Sequence, residues 1–382
     1  MMRRAGAAFS ILAGLIAGCT PSALPSPSET EAAGSARAIA SAQPNDGVHG
    51  QLAYSAGQDP QIYLLDLETG DSVQLTQLTD EDATLTGEGP LRPVLTCGFG
   101  ISSMAWNPRG THLAFAYGGC EAVVHVVDLE GTTTRVGEGG APAWSPDGAR
   151  LVFAPNTPFC MGVADCADPP HPGAWNLQVA DIEGGGPPVP MMADEATARA
   201  GQPTWSPDGT LIAFTGALQN VAESPELFSA TYVAQSDGSD ARHLVDGAWP
   251  SGWLPDGRLL IVDERTGILH ALDLETGDTQ TIDDGQTGPN AISPDGTRIV
   301  TSITDPTSGA SGVQLATIDG EALVQRAGFQ GGWASDGRAL AIVDLEQAGG
   351  LVILDRDGNE LYTHPLHEAV NSFPAVAWRP GS

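Results

Sequence analysis

Short apolar runs recur along most of this chain, and each is cut by a compact polar turn. Ala141-Pro-Ala-Trp144 leads into Ser145-Pro-Asp-Gly148 and then into Arg150-Leu-Val-Phe-Ala154; a second copy, Trp205-Ser-Pro-Asp-Gly209, leads into Leu211-Ile-Ala-Phe214. Looser copies stand at Trp106-Asn-Pro-Arg-Gly110, Trp253-Leu-Pro-Asp-Gly257, Ile292-Ser-Pro-Asp-Gly296, Trp333-Ala-Ser-Asp-Gly337 and Trp378-Arg-Pro-Gly-Ser382. Ser at the first position, Pro at the second and Gly at the fourth are the preferences of a type I turn closed by a left-handed glycine. Each copy therefore predicts a hairpin. Their first residues lie 38, 61, 48, 39, 41 and 45 positions apart. Strand pairs repeating at about 40 residues predict a β-propeller with four antiparallel strands per blade.

The segments between motifs supply the other strands. One blade reads Thr111–Tyr117, Ala122–Leu129 and Thr132–Val136; another reads Arg258–Asp263, Ile268–Leu274 and Thr279–Asp283. Third strands end in acidic glycine turns, Asp66-Leu-Glu-Thr-Gly70, Asp128-Leu-Glu-Gly131, Asp181-Ile-Glu-Gly184, Asp273-Leu-Glu-Thr-Gly277 and Asp355-Arg-Asp-Gly358, the chemistry that short hairpins demand. The first repeat begins at Gly50-Gln-Leu-Ala-Tyr54 without a motif of its own, whereas the last motif has no strand after it. These halves complete each other if Phe373–Trp378 is the innermost strand of the blade made by residues 50–76. The expectation is thus an all-β, seven-bladed propeller over residues 49–382, closed by pairing of its C-terminal strand with the N-terminal blade and leaving few free sheet edges.

In such a blade the chain alternates between two faces. The motif turns and acidic turns share one face; blade-to-blade and second-to-third-strand connections share the other. Three long departures from the repeat, residues 77–100, 156–173 and 219–228, all belong to that second face. Long loops on a rigid scaffold are where recognition tends to reside. The motif face collects Asp147, Asp208, Asp256, Asp295 and Asp336, joined by Glu68, Glu130, Glu183, Glu275 and Asp357, and is expected to be acidic.

The formal net charge is −31 with no lysine, which disfavours nucleic acid and anionic membrane surfaces as partners. Arg3 and Arg4 precede an apolar run ending in Leu15-Ile-Ala-Gly-Cys19, shaped as a signal peptide over residues 1–19. That ending resembles the bacterial lipobox, which implies lipidation at Cys19 and a lipid anchor in the cell envelope, periplasmic or at the cell surface. Residues 20–48, rich in Pro, Ser and Ala, read as a flexible tether. In an exported protein the other cysteines are expected in disulfides, paired Cys97–Cys120 and Cys160–Cys166. A four-thiolate metal site lacks the paired spacing that zinc sites use, and His171, His364 and His367 with Glu368 read as exposed loop residues instead of ligands. No Gly-x-Ser-x-Gly elbow or phosphate-binding glycine loop occurs, and no cofactor is expected. Trp106, Trp144, Trp205, Trp253, Trp333 and Trp378 recur at the blade period and read as packing residues.

The repeated Trp-Ser-Pro-Asp-Gly turn followed by a strand such as Leu211-Ile-Ala-Phe214 resembles the WD40-like (PD40) repeat of TolB-type periplasmic propellers. TolB-type proteins place an α/β domain ahead of a six-bladed propeller, and residues 20–48 are too short and too polar for one, so no contact residue is carried over. The resemblance implies a fold and says little of function. The expected role is a non-catalytic, monomeric envelope lipoprotein that binds a protein or a glycan. The alternative is a propeller lyase or hydrolase acting on an envelope polysaccharide or peptide. The inner-strand starts, Pro142, Pro203, Gly252, Asn290 and Gly331-Gly332, are chemically quiet and favour binding.

Overall fold

The computed structural model describes residues 48–56, 59–83, 100–118, 122–156, 176–192, 200–216, 229–283, 291–304, 311–344, 350–366 and 375–382. All of them lie in one compact unit, Arg37–Ser382; the other unit, Met1–Ala36, lies outside the described residues. No described helix is long and apolar enough to cross a membrane.

Blade 1 contains β1 (Gln51–Ala56), β2 (Asp59–Asp66) and β3 (Ser72–Gln74). Blade 2 is β4 (Gly100–Trp106), β5 (His112–Gly118), β6 (Ala122–Asp128) and β7 (Thr133–Glu138). Blade 3 is β8 (Gly140–Trp144), β9 (Arg150–Ala154), β10 (Gln178–Asp181) and the two-residue β11 (Val189–Pro190). Blade 4 is β12 (Gly201–Trp205), β13 (Leu211–Gly216), β14 (Ala230–Gln235) and β15 (Arg242–Asp246). Blade 5 is β16 (Ala248–Trp253), β17 (Leu259–Asp263), β18 (Leu269–Leu272) and β19 (Thr279–Asp283). Blade 6 is β20 (Ala291–Ile292), β21 (Arg298–Thr304), β22 (Ser311–Thr317) and the first half of β23 (Ala322–Trp333). The second half of β23 continues as the inner strand of blade 7, with β24 (Ala339–Asp344), β25 (Gly350–Asp355) and β26 (Glu360–His364), so these two blades form one seven-stranded sheet. The last strand, β27 (Val376–Trp378), lies in the sheet of blade 1, with Leu52 opposite Trp378 and Tyr54 opposite Val376. It is shorter than the stretch expected from the sequence, and Phe373 and Pro374 lie outside the described residues. Seven four-stranded units result, all antiparallel.

The core is divided among the seams between blades. Seven hydrophobic clusters occur among the described residues, one for each pair of neighbouring blades. Blades 2 and 3 meet through Ala114, Val124 and Val126 against Leu151, Phe153 and Ala180. Blades 7 and 1 meet through Ala341, Val343 and Ile353 against Leu52, Tyr54 and Leu65. Middle strands therefore bury both faces, and this is why β5 and β24 read as unbroken apolar runs. Phe115, Phe153 and Phe214, each nine residues after its blade's tryptophan, are completely buried. Each contributes on the order of 1.5–3 kcal/mol by leaving water.

Five inner strands carry a register shift against their neighbour, for example between Gly140 and Ala143 and between Gly201 and Thr204. Such bulges bend a strand and raise its twist. Two of them hold non-glycine residues at positive φ, Ala141 (50°) and Gln202 (46°), each directly before a proline.

Candidate functional site

The motif turns form as their residues dictate. In the Trp144 copy the Gly148 amide donates to the Ser145 carbonyl at 2.8 Å, and Gly148 sits at φ 72°. The Ser145 hydroxyl donates to Asp147 Oδ1 and accepts the Arg150 amide at 2.9 Å, while the Ala149 amide donates to Asp147 at 3.0 Å. The Trp205 copy repeats this through Ser206 and Asp208, and the Ile292 copy through Ser293 and Asp295. Hydrogen bonds from the serine hydroxyl, then from backbone amides, hold Asp147, Asp208 and Asp295 below the usual carboxylate range. In Asp256 the largest cause of the same lowering is the Arg258 side chain. Asp336 accepts the Arg338 amide at 2.9 Å in the Trp333 copy. These aspartates build turns.

The tryptophans link blades. Trp106 Nε1 donates to the Ala377 carbonyl (3.2 Å), Trp144 to Ala105 (2.9 Å), Trp205 to Ala143 (3.2 Å), Trp253 to Thr204 (3.3 Å) and Trp378 to Gly332 (2.7 Å). Every acceptor is the residue immediately before the tryptophan, or its equivalent, of the neighbouring blade. Blade 6 has Ile292 at this position and so has no indole to offer to blade 5. Trp333 is buried in the seam between blades 6 and 7. The indoles are held by backbone and core, and none of these bonds leaves an Nε1–H for a ligand.

Beside the carboxylates expected from the sequence, the motif face carries arginines that engage them. Arg109 reaches from blade 2 to Glu183 and to the Asp147 carbonyl of blade 3. Arg150 donates to the Ser236 carbonyl at 2.9 Å and lies over the Trp205 ring at 4.9 Å, tying blade 3 to blade 4. Arg298 pairs with Asp357 at 3.1 Å and Arg356 pairs with Asp295 at 2.9 Å, a crossed pair between blades 6 and 7. Arg379 donates to the Gly110 carbonyl and to Gln51 Oε1. These arginines lie in or just after motif copies or, for Arg356, in an acidic turn, and most of their partners lie one blade away, tens of residues distant in sequence. Nothing local in the sequence marks them.

Between blades 2 and 3 a cleft of about 220 Å³ is lined by His112, Asp128, Arg135, Asp181, Thr132 and Val136 among others. It opens where the fourth strand of blade 3 shrinks to Val189–Pro190 after the run Gly184–Gly186 and Pro187-Pro188. Its carboxylates are engaged: Asp128 Oδ1 accepts the Glu130 and Thr132 amides and Asp181 Oδ1 accepts that of Gly184. Among the described residues no group of three His, Cys, Asp or Glu side chains is arranged to hold a metal ion.

The opposite face begins differently from the sequence expectation. At the start of the first long connection, Leu78 and Ala83 are buried in the seam between blades 1 and 2, and Asp80–Ala83 forms a 3-10 turn. His125, on β6 beneath that turn, is buried, stacks on Phe115 at 5.4 Å and contacts the Asp82 carbonyl through Nε2 at 2.9 Å. His364 is not an exposed loop residue. It ends β26, is buried, and packs edge-on against Tyr54 and against the ring of Tyr362. Strand alternation turns its side chain inward, which the adjacent Pro365 concealed. Cys19, Cys97, Cys120, Cys160 and Cys166 lie outside the described residues, as do His171, His367 and Glu368 and most of residues 84–100, 156–173 and 219–228.

No family model matches this sequence, and no curated protein matches it. Among solved structures the chain is similar to TolB from Acinetobacter baumannii, at 15% identity over 87% of this chain and 67% of that one, with a TM-score of 0.48. It is also similar to a putative TolB from Agrobacterium tumefaciens, at 18% identity over 65% of this chain and 94% of that one, with a TM-score of 0.43. A prolyl endopeptidase structure matches at 15% identity and a TM-score of 0.52, covering 86% of this chain and 49% of that one, so this chain spans about half its length. At these identities the likeness extends to the fold alone, and the fold is a β-propeller.

Proposed function

We propose that the protein is a non-catalytic binding scaffold of the cell envelope that engages a protein or glycan partner through the face opposite the motif turns. The observation that supports this reading is the asymmetry of the connections. Motif-face turns between described strands are short, and the motif turns are closed by their own aspartates or, in the Trp106 copy, by Asn107. The longest connections, β3 to β4, β9 to β10 and β13 to β14, all leave and re-enter on the other face. The expected chemistry of the N-terminus adds an anchor: Cys19 carries the lipid and residues 20–48 set the reach from the membrane.

The test replaces residues 84–99, 157–175 and 217–228, one segment at a time, with short Gly-Ser linkers and cross-links each variant in its own envelope. Loss of a specific cross-linked partner from these variants, with retention in an Arg109→Ala variant of the motif face, supports the reading. Retention in all three loop variants refutes it. Membrane fractionation of a Cys19→Ser variant tests the anchor separately, with release from the membrane as the expected result.

A further inference from the structure

A buried polar atom without a partner calls for a reason, and His125 has one. The residue is 2% exposed, and its Nε2 lies 2.9 Å from the Asp82 carbonyl. A carbonyl only accepts, so Nε2 carries the proton and Nδ1 bears a lone pair. That Nδ1 is buried and meets no hydrogen-bond donor among the described residues. A phenylalanine or leucine would fill the same space without an orphaned nitrogen. We propose that His125 is a pH-sensitive latch: neutral, it fastens the 3-10 turn Asp80–Ala83 onto blade 2, and protonated, it lets the turn go.

The surroundings decide the direction. Protonation places a second N–H on Nδ1, where no acceptor stands among the described residues, and puts a cation beside an apolar seam. From β5 the ring faces Phe115, which offers no charge. From β7 the opposite residue in register is Arg135, a like charge, itself 3.3 Å from Glu138. From the turn, the Asp82 carbonyl, which meets the Nε2–H in either protonation state, and the Asp82 carboxylate both favour the cation, but they do not outweigh burial, and the carboxylate Oδ2 is already engaged with the amide and hydroxyl of Thr79, at 2.7 and 2.9 Å. Glu81 is exposed to solvent. Burial is the largest influence and pushes the imidazole below its ordinary value; Arg135 pushes the same way, and Asp82 pulls back.

A hinge stands beside the latch. Leu78 is pinned by the neutral amide of Gln61, whose Nε2 donates to the Leu78 carbonyl at 2.9 Å and whose Oε1 accepts its amide at 2.8 Å. Those bonds do not titrate. Acid therefore frees residues 80–83 while leaving the chain fastened at Leu78. It uncovers apolar surface of the seam between blades 1 and 2, on the face from which the long connections depart. This holds whether or not that face binds a partner.

Hydrogen exchange on the whole chain at pH 7.5 and pH 5.0, corrected for intrinsic rates, tests the latch. The hydrogen-bonded amides of Thr79 and Asp82 should lose protection by tenfold or more at pH 5.0, while those of β5 and β6 keep theirs. In a His125→Gln variant, whose amide can donate to the same carbonyl and cannot titrate, protection of the turn should be equal at both pH values. Equal protection in the wild type, or the same acid loss in His125→Gln, overturns the proposal. NMR of the His125 ring gives a measurement without substitution. Its midpoint should lie below about 6.5 and coincide with opening of the turn. A midpoint near 6.5 with the turn still closed overturns it too.

Discussion

Replacing Trp144 by phenylalanine isolates what one indole contributes to holding two blades together. Phenylalanine retains most of the ring that packs in the seam between blades 2 and 3, but it cannot donate to the Ala105 carbonyl, now met at 2.9 Å. The lost bond costs about 0.5–1.5 kcal/mol, and more where the carbonyl it leaves is shielded from water. The smaller ring adds about 1 kcal/mol of lost burial and residual cavity. The sum is roughly 2 kcal/mol. A domain of about 330 residues unfolds with an entropy near 0.7 kcal/mol/K at about 2.1 cal/mol/K per residue, so Tm should fall by about 3 °C. Trp249 is half-buried beside the seam of blades 5 and 6 and outside the chain of indoles, so Trp249→Phe serves as the control and should move Tm less. The reverse substitution is Ile292→Trp, which supplies the missing indole to the Gly252 carbonyl and should raise stability by up to about 1 kcal/mol if the seam admits the ring. Differential scanning calorimetry reads all three. A Trp144→Phe melt superimposable on the wild type would refute the view that these indoles join blades.

Deleting residues 371–382 removes β27, the partner of β1, along with the Trp378–Gly332 link; the cooperative melt should become broad or aggregating, and an unchanged melt would refute the closure. Asp147, Asp208 and Asp295 are held below the roughly 3.9 of an unfolded aspartate, so the stability they add is complete above about pH 4 and is lost as pH falls below it. Asp295→Asn keeps an oxygen for the Ser293 and Thr297 donors, and should flatten the acid limb of a urea-midpoint profile against pH. Non-reducing peptide mapping should recover Cys97 joined to Cys120 and Cys160 joined to Cys166; a crossed pair such as Cys97 with Cys160 would sink the assignment. Monovalent salt should raise Tm by only a degree or two, because it screens the repulsion of a chain at −31 and also the pairs Arg298–Asp357 and Arg356–Asp295. A large rise would mean that repulsion dominates the motif face.

The fold was legible because its determinants are local and repeated. A Ser-Pro-Asp-Gly turn completes its hydrogen bonds within six residues, from Ser145 to Arg150, so no distant partner is needed to recognise it. Strand order followed, because each turn fixes the direction of the next strand. Partners one blade away were not legible. Arg109 and Glu183 are 74 residues apart, and Arg298 and Asp357 are 59 apart. Position alone could not say that these charges neutralise each other. The packed turn at Asp80–Ala83 was hidden for a related reason. A departure from the repeat looks like a loop from its start, although Leu78 and Ala83 are apolar and fill a seam.

The same repetition explains why function is harder to read than fold. Almost every conspicuous residue among those described is consumed by the scaffold. The motif aspartates close turns, five of the motif tryptophans bond to neighbouring backbones, and Phe115, Phe153 and Phe214 fill seams. A residue kept for a ligand would have to stand outside the repeat, and two kinds of place satisfy that condition among the described residues. One is the cleft beside the shortened fourth strand of blade 3, where Asp128 and Asp181 are again tied to their own turns. The other is the turn over His125, where a buried imidazole departs from both the apolar pattern of β6 and the economy of the motif. The propeller itself does not require a histidine at position 125, and an acid-dependent opening of Asp80–Ala83 gives it a task.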